Sequence, residues 1–284
     1  MEKEKNKING GTLYLVATPI GNLADISERA VKTLSEVDFV AAEDTRNTAK
    51  LLAYFGIKKP LVSYYEHNKA KSGQELIARL KCGESCALVT DAGMPGISDP
   101  GEDMVALCVE NDIPVTIVPG ACAAVAALVL SGLATGKFVF EGFLSAKSGE
   151  RKKRLEELKN EQRTIIFYEA PHKLRETLSA MKEIFGESRK ISLCRELTKI
   201  NEEIIRTTLG AATEKYASEE PRGEYVLVLE GGSAEDGKFW DKMTAEAHVS
   251  FYEAQGLTKN EAIKAAAKDR GVPKNEIYGK IMKK

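Results

Sequence analysis

In the first half of the chain, apolar residues come in short unbroken runs. Each run is followed by a turn rich in Gly, Pro, Asp or Asn, and then by a segment with helical apolar spacing. TLYLVAT leads into PIGNLAD and a helix from about Ser27, and DFVAAE into DTRNT and a helix ending near Gly56. SCALVT (85–90) leads into DAGMPGISDPG and a helix near Glu102 to Asn111, and PVTIV (114–118) into PGACAAVAAL. Runs that are apolar throughout, rather than alternating, suit strands buried on both faces. Their regular alternation with helices predicts a parallel, doubly wound α/β sheet, with ligands at the loops on its carboxyl edge.

The second half has another pattern. KFVFEGF, TIIFYEA, KISLCREL, EEIIRTTL and EYVLVLEG are strands with fewer helices between them, which predicts a mixed α+β domain. GGSAEDG (231–237) has linker composition. Beyond it three helices are expected, with Thr258 and Glu261 forming a capping box, and Gly271 and Pro273 turning the chain into the last helix. This short helix, turn and basic helix match a helix-turn-helix, and equally a small helical cap with no nucleic-acid contact. The division expected is 1–120 for a parallel α/β domain, 121–232 for a mixed domain and 238–284 for a helical extension.

Composition narrows the class. With 284 residues, 43% hydrophobic and 29% charged, the chain is neither collagen, coiled coil nor disordered. Its net charge of −1 hides an asymmetry, because residues 238–284 carry ten Lys or Arg against six Asp or Glu, a surplus of +4 that leaves −5 before them. Five irregularly spaced cysteines fit reduced thiols in a cytoplasm. Cys82 and Cys86 lack nearby His or Cys partners, so no metal site is expected. The opening MEKEKNKINGG is too polar for a signal peptide. Ile113 to Gly136 is uncharged and long enough to cross a bilayer, but Pro114, Pro119 and Gly120 break it into a strand and a small-residue helix, so no membrane association is expected.

The loops carry the chemistry. No GxGxxG follows the first strand and no GxxxxGK[ST] occurs, which removes the main support for a Rossmann dehydrogenase or a P-loop NTPase. DAGMPGISDPG instead packs three glycines, two prolines and two aspartates into eleven residues, the makings of a preshaped ligand cradle.

ATPIGNLADIS (17–27), AAEDTRNTAKLLAYFGI (41–57), YYEHN (64–68), VTDAGMPGISDPG (89–101), VPGACAAVAAL (118–128), FYEAPHKL (167–174) and RELTKINEE (195–203) together resemble the ribosomal RNA small subunit methyltransferase I family, within the tetrapyrrole-methylase-like superfamily. The resemblance runs almost continuously from residue 12 to 232, and the basic tail is similar to that family's helix-turn-helix extension. It implies an α/β, two-domain, class III methyltransferase with a small C-terminal helical extension. The implied cofactor is S-adenosylmethionine, and the implied substrate the 2′-hydroxyl of a cytidine in the decoding centre of 16S ribosomal RNA. The implied cofactor contacts are Pro19, Ile20 and Gly21, then Asp91, Ala92, Gly93, Gly96 and Ile97, then Pro119, Gly120, Cys122 and Ala123, and finally Tyr168 and Glu169. A cytoplasmic homodimer acting on the small ribosomal subunit is also implied. Porphyrinoid methylases read GxGPGD and GDP where this chain has ATPIGN and DAGMP, a departure that favours RNA.

Methyl transfer to a ribose hydroxyl needs the oxygen positioned and its proton removed, or its alkoxide stabilised. Asp44, His67, Glu169 and Lys199 are the sequence candidates for that work, with Arg46 as a phosphate ligand. Asp44 could equally cap a helix, His67 hold a loop, Arg46 form a surface ion pair and Lys199 end a solvated strand. The basic run 147–159 reads as a solvated helix face or an RNA backbone contact. Two other functions stay open: a superfamily methylase of a small molecule or protein, and a non-catalytic RNA-binding assembly module.

Overall fold

The computed structural model describes residues 6–232, Trp240 and residues 243–282, and it divides into two compact units, 1–231 and 232–284. Most of the expected linker 231–237 and the start of the tail at 238 lie outside the described residues.

The first unit opens with β1 (Leu13–Val16), α1 (Glu28–Glu36), β2 (Phe39–Ala42), α2 (Thr45–Tyr54), β3 (Leu61–Ser63), α3 (Lys69–Lys81), β4 (Cys86–Val89), α4 (Gly101–Glu110), β5 (Val115–Val118) and α5 (Ala123–Ser131). These strands form one sheet, in the order β3-β2-β4-β1-β5, and every pairing is parallel. β1, β2 and β4 are buried at every position, because helices cover both faces of the sheet. One face packs Leu13, Phe39 and Leu88 against Leu76 and Met104, and the other packs Val16, Val40 and Val89 against Leu34 and Leu52. The two edge strands, β3 and β5, are largely solvated. The apolar run 113–136 divides into β5 and α5, and no described helix is long and apolar enough to cross a membrane.

The chain continues with β6 (Phe138–Phe143), α6 (Ser148–Glu157), β7 (Thr164–Glu169), α7 (Leu174–Phe185), β8 (Lys190–Arg195), β9 (Glu203–Thr208), α8 (Leu209–Ser218) and β10 (Tyr225–Leu229). Their order is β6-β7-β10-β8-β9, with only β6 and β7 parallel. This is the mixed sheet expected, although α6, α7 and α8 intervene where fewer helices were expected. The basic run 147–159 is neutralised locally: Lys147 pairs with Glu150, Arg151 with Glu176, Lys152 with Glu183, and Arg154 with Glu141 and Glu157. That pattern fits an ion-paired helix surface better than a free RNA contact.

The second unit holds α9 (Ala245–Ala254), α10 (Lys259–Arg270) and α11 (Lys274–Met282) around Val249, Ile263, Ala266 and Ile277. Thr258 and Glu261 complete the expected capping box, and Gly271, at φ +63°, ends α10 in the left-handed conformation. His248 is fully buried, takes a hydrogen bond from Arg270 Nε at 3.0 Å and contacts the Asp269 carboxylate at 3.2 Å.

Candidate active site

Because the first sheet is parallel, the loops after β1, β2, β4 and β5 all open on one edge. The longest, after β4, is shaped from within. The Asp99 carboxylate accepts backbone N–H bonds from Gly96 at 2.9 and 3.0 Å, Ile97 at 3.2 Å and Gly101 at 2.7 Å. Gly93 and Gly96 take φ of +86° and +88°, and Ser98, not a glycine, takes +64°. Two backbone bonds between Gly93 and Thr18, at 2.9 and 3.1 Å, tie this loop to the one after β1. Asp91 accepts from Asp44 N–H and from Asn47 Nδ2, both at 3.2 Å, which ties it to the start of α2.

A cavity of about 610 Å³ lies between these loops and the second sheet. Ile20, Glu43, Thr90, Asp91, Ala92, Gly93, Ile97, Asp99, Cys122 and Ala123 supply one side; Phe143, Tyr168, Glu169, Cys194, Glu196, Leu197 and Val226 supply the other. A second cavity of about 430 Å³ lies between the loop after β1 and α2, lined by Pro19, Gly21, Leu23, Asn47, Lys50, Leu51 and Tyr54 among others. Ile20, Thr90, Asp91, Ala92, Lys199 and Glu224 belong to both linings, so the two cavities share a wall.

Most of the residues expected to contact the cofactor are brought together. Ile20, Asp91, Ala92, Gly93, Ile97, Cys122, Ala123, Tyr168 and Glu169 line the larger cavity, while Pro19 and Gly21 line its neighbour. Gly96, Pro119 and Gly120 line neither. Gly96 shapes the cradle through Asp99, and a Cβ on Gly120 would lie 2.8 Å from Ala17 Cβ, so Gly120 allows the chain after β5 to pass close to β1. Tyr168 accepts a hydrogen bond from Ala124 N–H at 3.2 Å, and burial pushes its phenol up to about 12. Glu169 spends its carboxylate inside the protein, accepting from Ala170 N–H at 2.9 Å and from the Thr177 hydroxyl at 2.5 Å.

Of Asp44, His67, Glu169 and Lys199, the last two line the larger cavity, and Lys199 also lines its neighbour. The Lys199 ammonium bonds Glu196 at 2.8 Å and Glu224 at 2.9 Å. Partial burial alone would lower Lys199, but these two carboxylates carry it above the ordinary lysine value, so it is a fixed cation and not a base. Asp44 caps α2 through Arg46 N–H at 2.8 Å and grips the Arg46 guanidinium at 2.6 and 3.0 Å. Those bonds hold the Asp44 carboxyl at about 2, far below what a general base at neutral pH requires. Arg46 is thereby engaged with Asp44, its side chain largely exposed. His67 is exposed, stands edge-on to Tyr65 and lies outside both linings.

Sequence reasoning missed Glu43. It lines the larger cavity and accepts from the Thr90 hydroxyl at 3.1 Å. Desolvation raises its pKa, and the charges of Asp91 and Asp99 raise it further, against the Thr90 hydrogen bond. Exposed at the wall of the cavity with its pKa raised, Glu43 is placed to accept a proton from a bound group.

The turn after β8 is strained beside this site. Glu196 and Thr198 adopt φ of +50° and +63°, and Thr198 Oγ1 is buried with no partner among the described residues. Such conformations persist where surrounding structure enforces them, commonly at functional sites.

The comparisons with known proteins agree with this architecture. The family profile for tetrapyrrole (corrin/porphyrin) methylases matches residues 12–213. A Bacillus subtilis protein named ribosomal RNA small subunit methyltransferase I is 51% identical over 276 residues, which cover 96% of this chain and 94% of that protein. The chain belongs to the ribosomal RNA small subunit methyltransferase I family. A second member, from Synechocystis sp., is 47% identical over 94% of this chain and 96% of its own length. The wider fold is shared with the crystal structure of uroporphyrin-III C-methyltransferase from Thermus thermophilus complexed with S-adenosylhomocysteine, at TM-score 0.57 and 18% identity, over 77% of this chain and 97% of that one. In this family member the cradle falls within residues 12–213, as does the shared wall apart from Glu224, and the helical tail lies beyond them.

Proposed function

We propose that this family member transfers a methyl group from S-adenosylmethionine to the 2′-hydroxyl of a cytidine in the decoding centre of 16S ribosomal RNA. It acts on the small ribosomal subunit, in the cytoplasm, as a homodimer. The observation that carries the reading is 47–51% identity, over nearly the whole chain, to proteins named ribosomal RNA small subunit methyltransferase I. Two abutting cavities with a common wall, one for a methyl donor and one for an acceptor, support it. Val125 and Val129 stand exposed on one face of α5 and offer apolar surface to a second copy.

The larger cavity suits the donor, an amphipathic cation. Its volume lies in the range of ordinary ligand sites. Ile20, Ile97, Leu197 and Val226 give apolar walls, Asp91 and Asp99 give acceptors, and Gly93 brings backbone close. When bound there, the cofactor supplies the electrophilic methyl. The chain itself then has to position the hydroxyl, accept its proton and stabilise the oxyanion. Glu43 accepts the proton, and Lys199, fixed by Glu196 and Glu224, stabilises the negative charge on oxygen.

Mapping ribose methylation on 16S RNA from cells with and without this protein tests the reading. A single 2′-O-methyl mark that disappears on deletion is expected; an unchanged methylation map overturns it. Lys199→Met is expected to slow single-turnover methylation on the order of 10²-fold at saturating cofactor and subunit. A parent rate in that assay, with only weakened affinities, would make Lys199 a clamp between loops.

The tail bears on RNA affinity. Unit 1 is compact by itself, so deletion of residues 238–284 is expected to leave cofactor affinity unchanged. Binding to small subunits is expected to weaken and its salt dependence to flatten, since fewer counterions are released. An unchanged salt slope points to a helical cap without RNA contact.

A further inference from the structure

The cavity beside α2 has a lining that folding alone does not call for. Asn47, Lys50, Leu51 and Tyr54 recur at helical spacing along one face of α2, where a core-facing stripe would be apolar and buried. Tyr54 is instead 66% exposed, steadied edge-on by Phe55 with ring centroids 4.9 Å apart. Lys50 is exposed and forms no ion pair among the described residues, unlike neighbouring Arg46, which is taken by Asp44. An exposed aromatic ring one turn from a free ammonium, above a cavity of about 430 Å³, combines stacking surface with phosphate affinity. The far wall of that cavity is the one shared with the larger site, where Lys199 stands.

We propose that this cavity holds the acceptor nucleotide, unstacked from its RNA, with its base on the Tyr54 ring and a flanking phosphate on Lys50. The proposal rests on the RNA methyltransferase reading and adds the acceptor's binding site to it. A base kept within a helical stack cannot lie on a protein ring, so the nucleotide enters splayed out of its strand. Its ribose then faces the shared wall, across which the methyl group is delivered.

The test uses full-length protein, purified small ribosomal subunits and radiolabelled S-adenosylmethionine. Tyr54→Ala is expected to raise KM for subunits about 5- to 100-fold, with cofactor affinity by calorimetry unchanged. Tyr54→Phe, which keeps the ring, should match the parent. Lys50→Glu is expected to raise the same KM and to lower the salt slope of subunit binding by about one. Parent KM values for both Tyr54→Ala and Lys50→Glu overturn the proposal. Should the parent bind cofactor yet methylate no 16S RNA, the ribosomal reading falls alone, and anisotropy with a single-stranded cytidine-rich RNA decides the cavity. Weaker binding by Tyr54→Ala then supports the nucleotide site, and equal binding overturns it.

Discussion

A Gly93→Val variant is expected to show no measurable heat of S-adenosylmethionine binding under conditions where the parent titrates fully. Gly93 sits at φ +86°, a region an L-residue occupies at a cost of about 1–2 kcal/mol, and more for a β-branched side chain. A Cβ there would lie 3.1 Å from Ile20 Cγ2 and 3.4 Å from the Ala121 carbonyl oxygen, both belonging to loops that wall the cavity. The two further valine carbons must displace Ile20 or enter the cavity. The paired Gly93–Thr18 backbone bonds resist any sideways shift of the cradle. Gly93 is buried but belongs to a loop outside the hydrophobic clusters, so the thermal midpoint should fall by only a few degrees. Gly120→Val, which sequence alone places in the same class, should behave differently. Its Cβ meets Ala17 Cβ at 2.8 Å, at the point where β1 ends beside β5, so the fold itself is expected to lose stability. Undiminished cofactor affinity in Gly93→Val overturns the cradle assignment. A Gly120→Val protein with parent thermal stability overturns the distinction.

These two glycines show where the sequence stops being informative. Both sit in turns after apolar runs, and pattern alone cannot tell a backbone that approaches a ligand from one that approaches another strand. β1, β2 and β4 were legible because a strand covered on both faces must be apolar throughout. β3, only Leu61–Ser63 and at the sheet edge, carries too short a pattern to be told from the loop around it. The cradle after β4 was legible from its density of Gly, Pro and Asp. The α2 face was not, because Lys50 and Tyr54 gain meaning only once the loop after β1 and the turn holding Lys199 stand beside them. Arg46, at a helix start, suggested a phosphate ligand with a surface ion pair as the alternative, and Asp44, two residues away, holds it in that ion pair.

Glu43 was hidden for a related reason: it precedes the capping Asp44, and its altered acidity comes from residues distant in sequence. The expected result for Glu43→Gln is a fall of about 10²–10⁴-fold in single-turnover methylation, with cofactor and subunit affinities close to the parent's. The alternatives are disfavoured by their own partners, since Asp44 is held at about 2 by Arg46 and Lys199 is kept protonated by Glu196 and Glu224. The direction of the pH dependence follows from the direction of the shift. Desolvation, with Asp91 and Asp99 nearby, raises the Glu43 pKa, so the carboxylate needed to accept a proton is lost at a higher pH than for an ordinary glutamate. In the parent, therefore, the single-turnover rate should climb with pH through that raised value and level off above it. Glu43→Gln, with no titrating group at that position, should lack the climb. Glu43→Asp keeps the charge on a shorter arm and should retain the limb at reduced rate. Loss of rate in Glu43→Gln with the acidic limb intact would assign the titration to another carboxylate of the cavity, and an unchanged rate would remove Glu43 from the chemistry altogether.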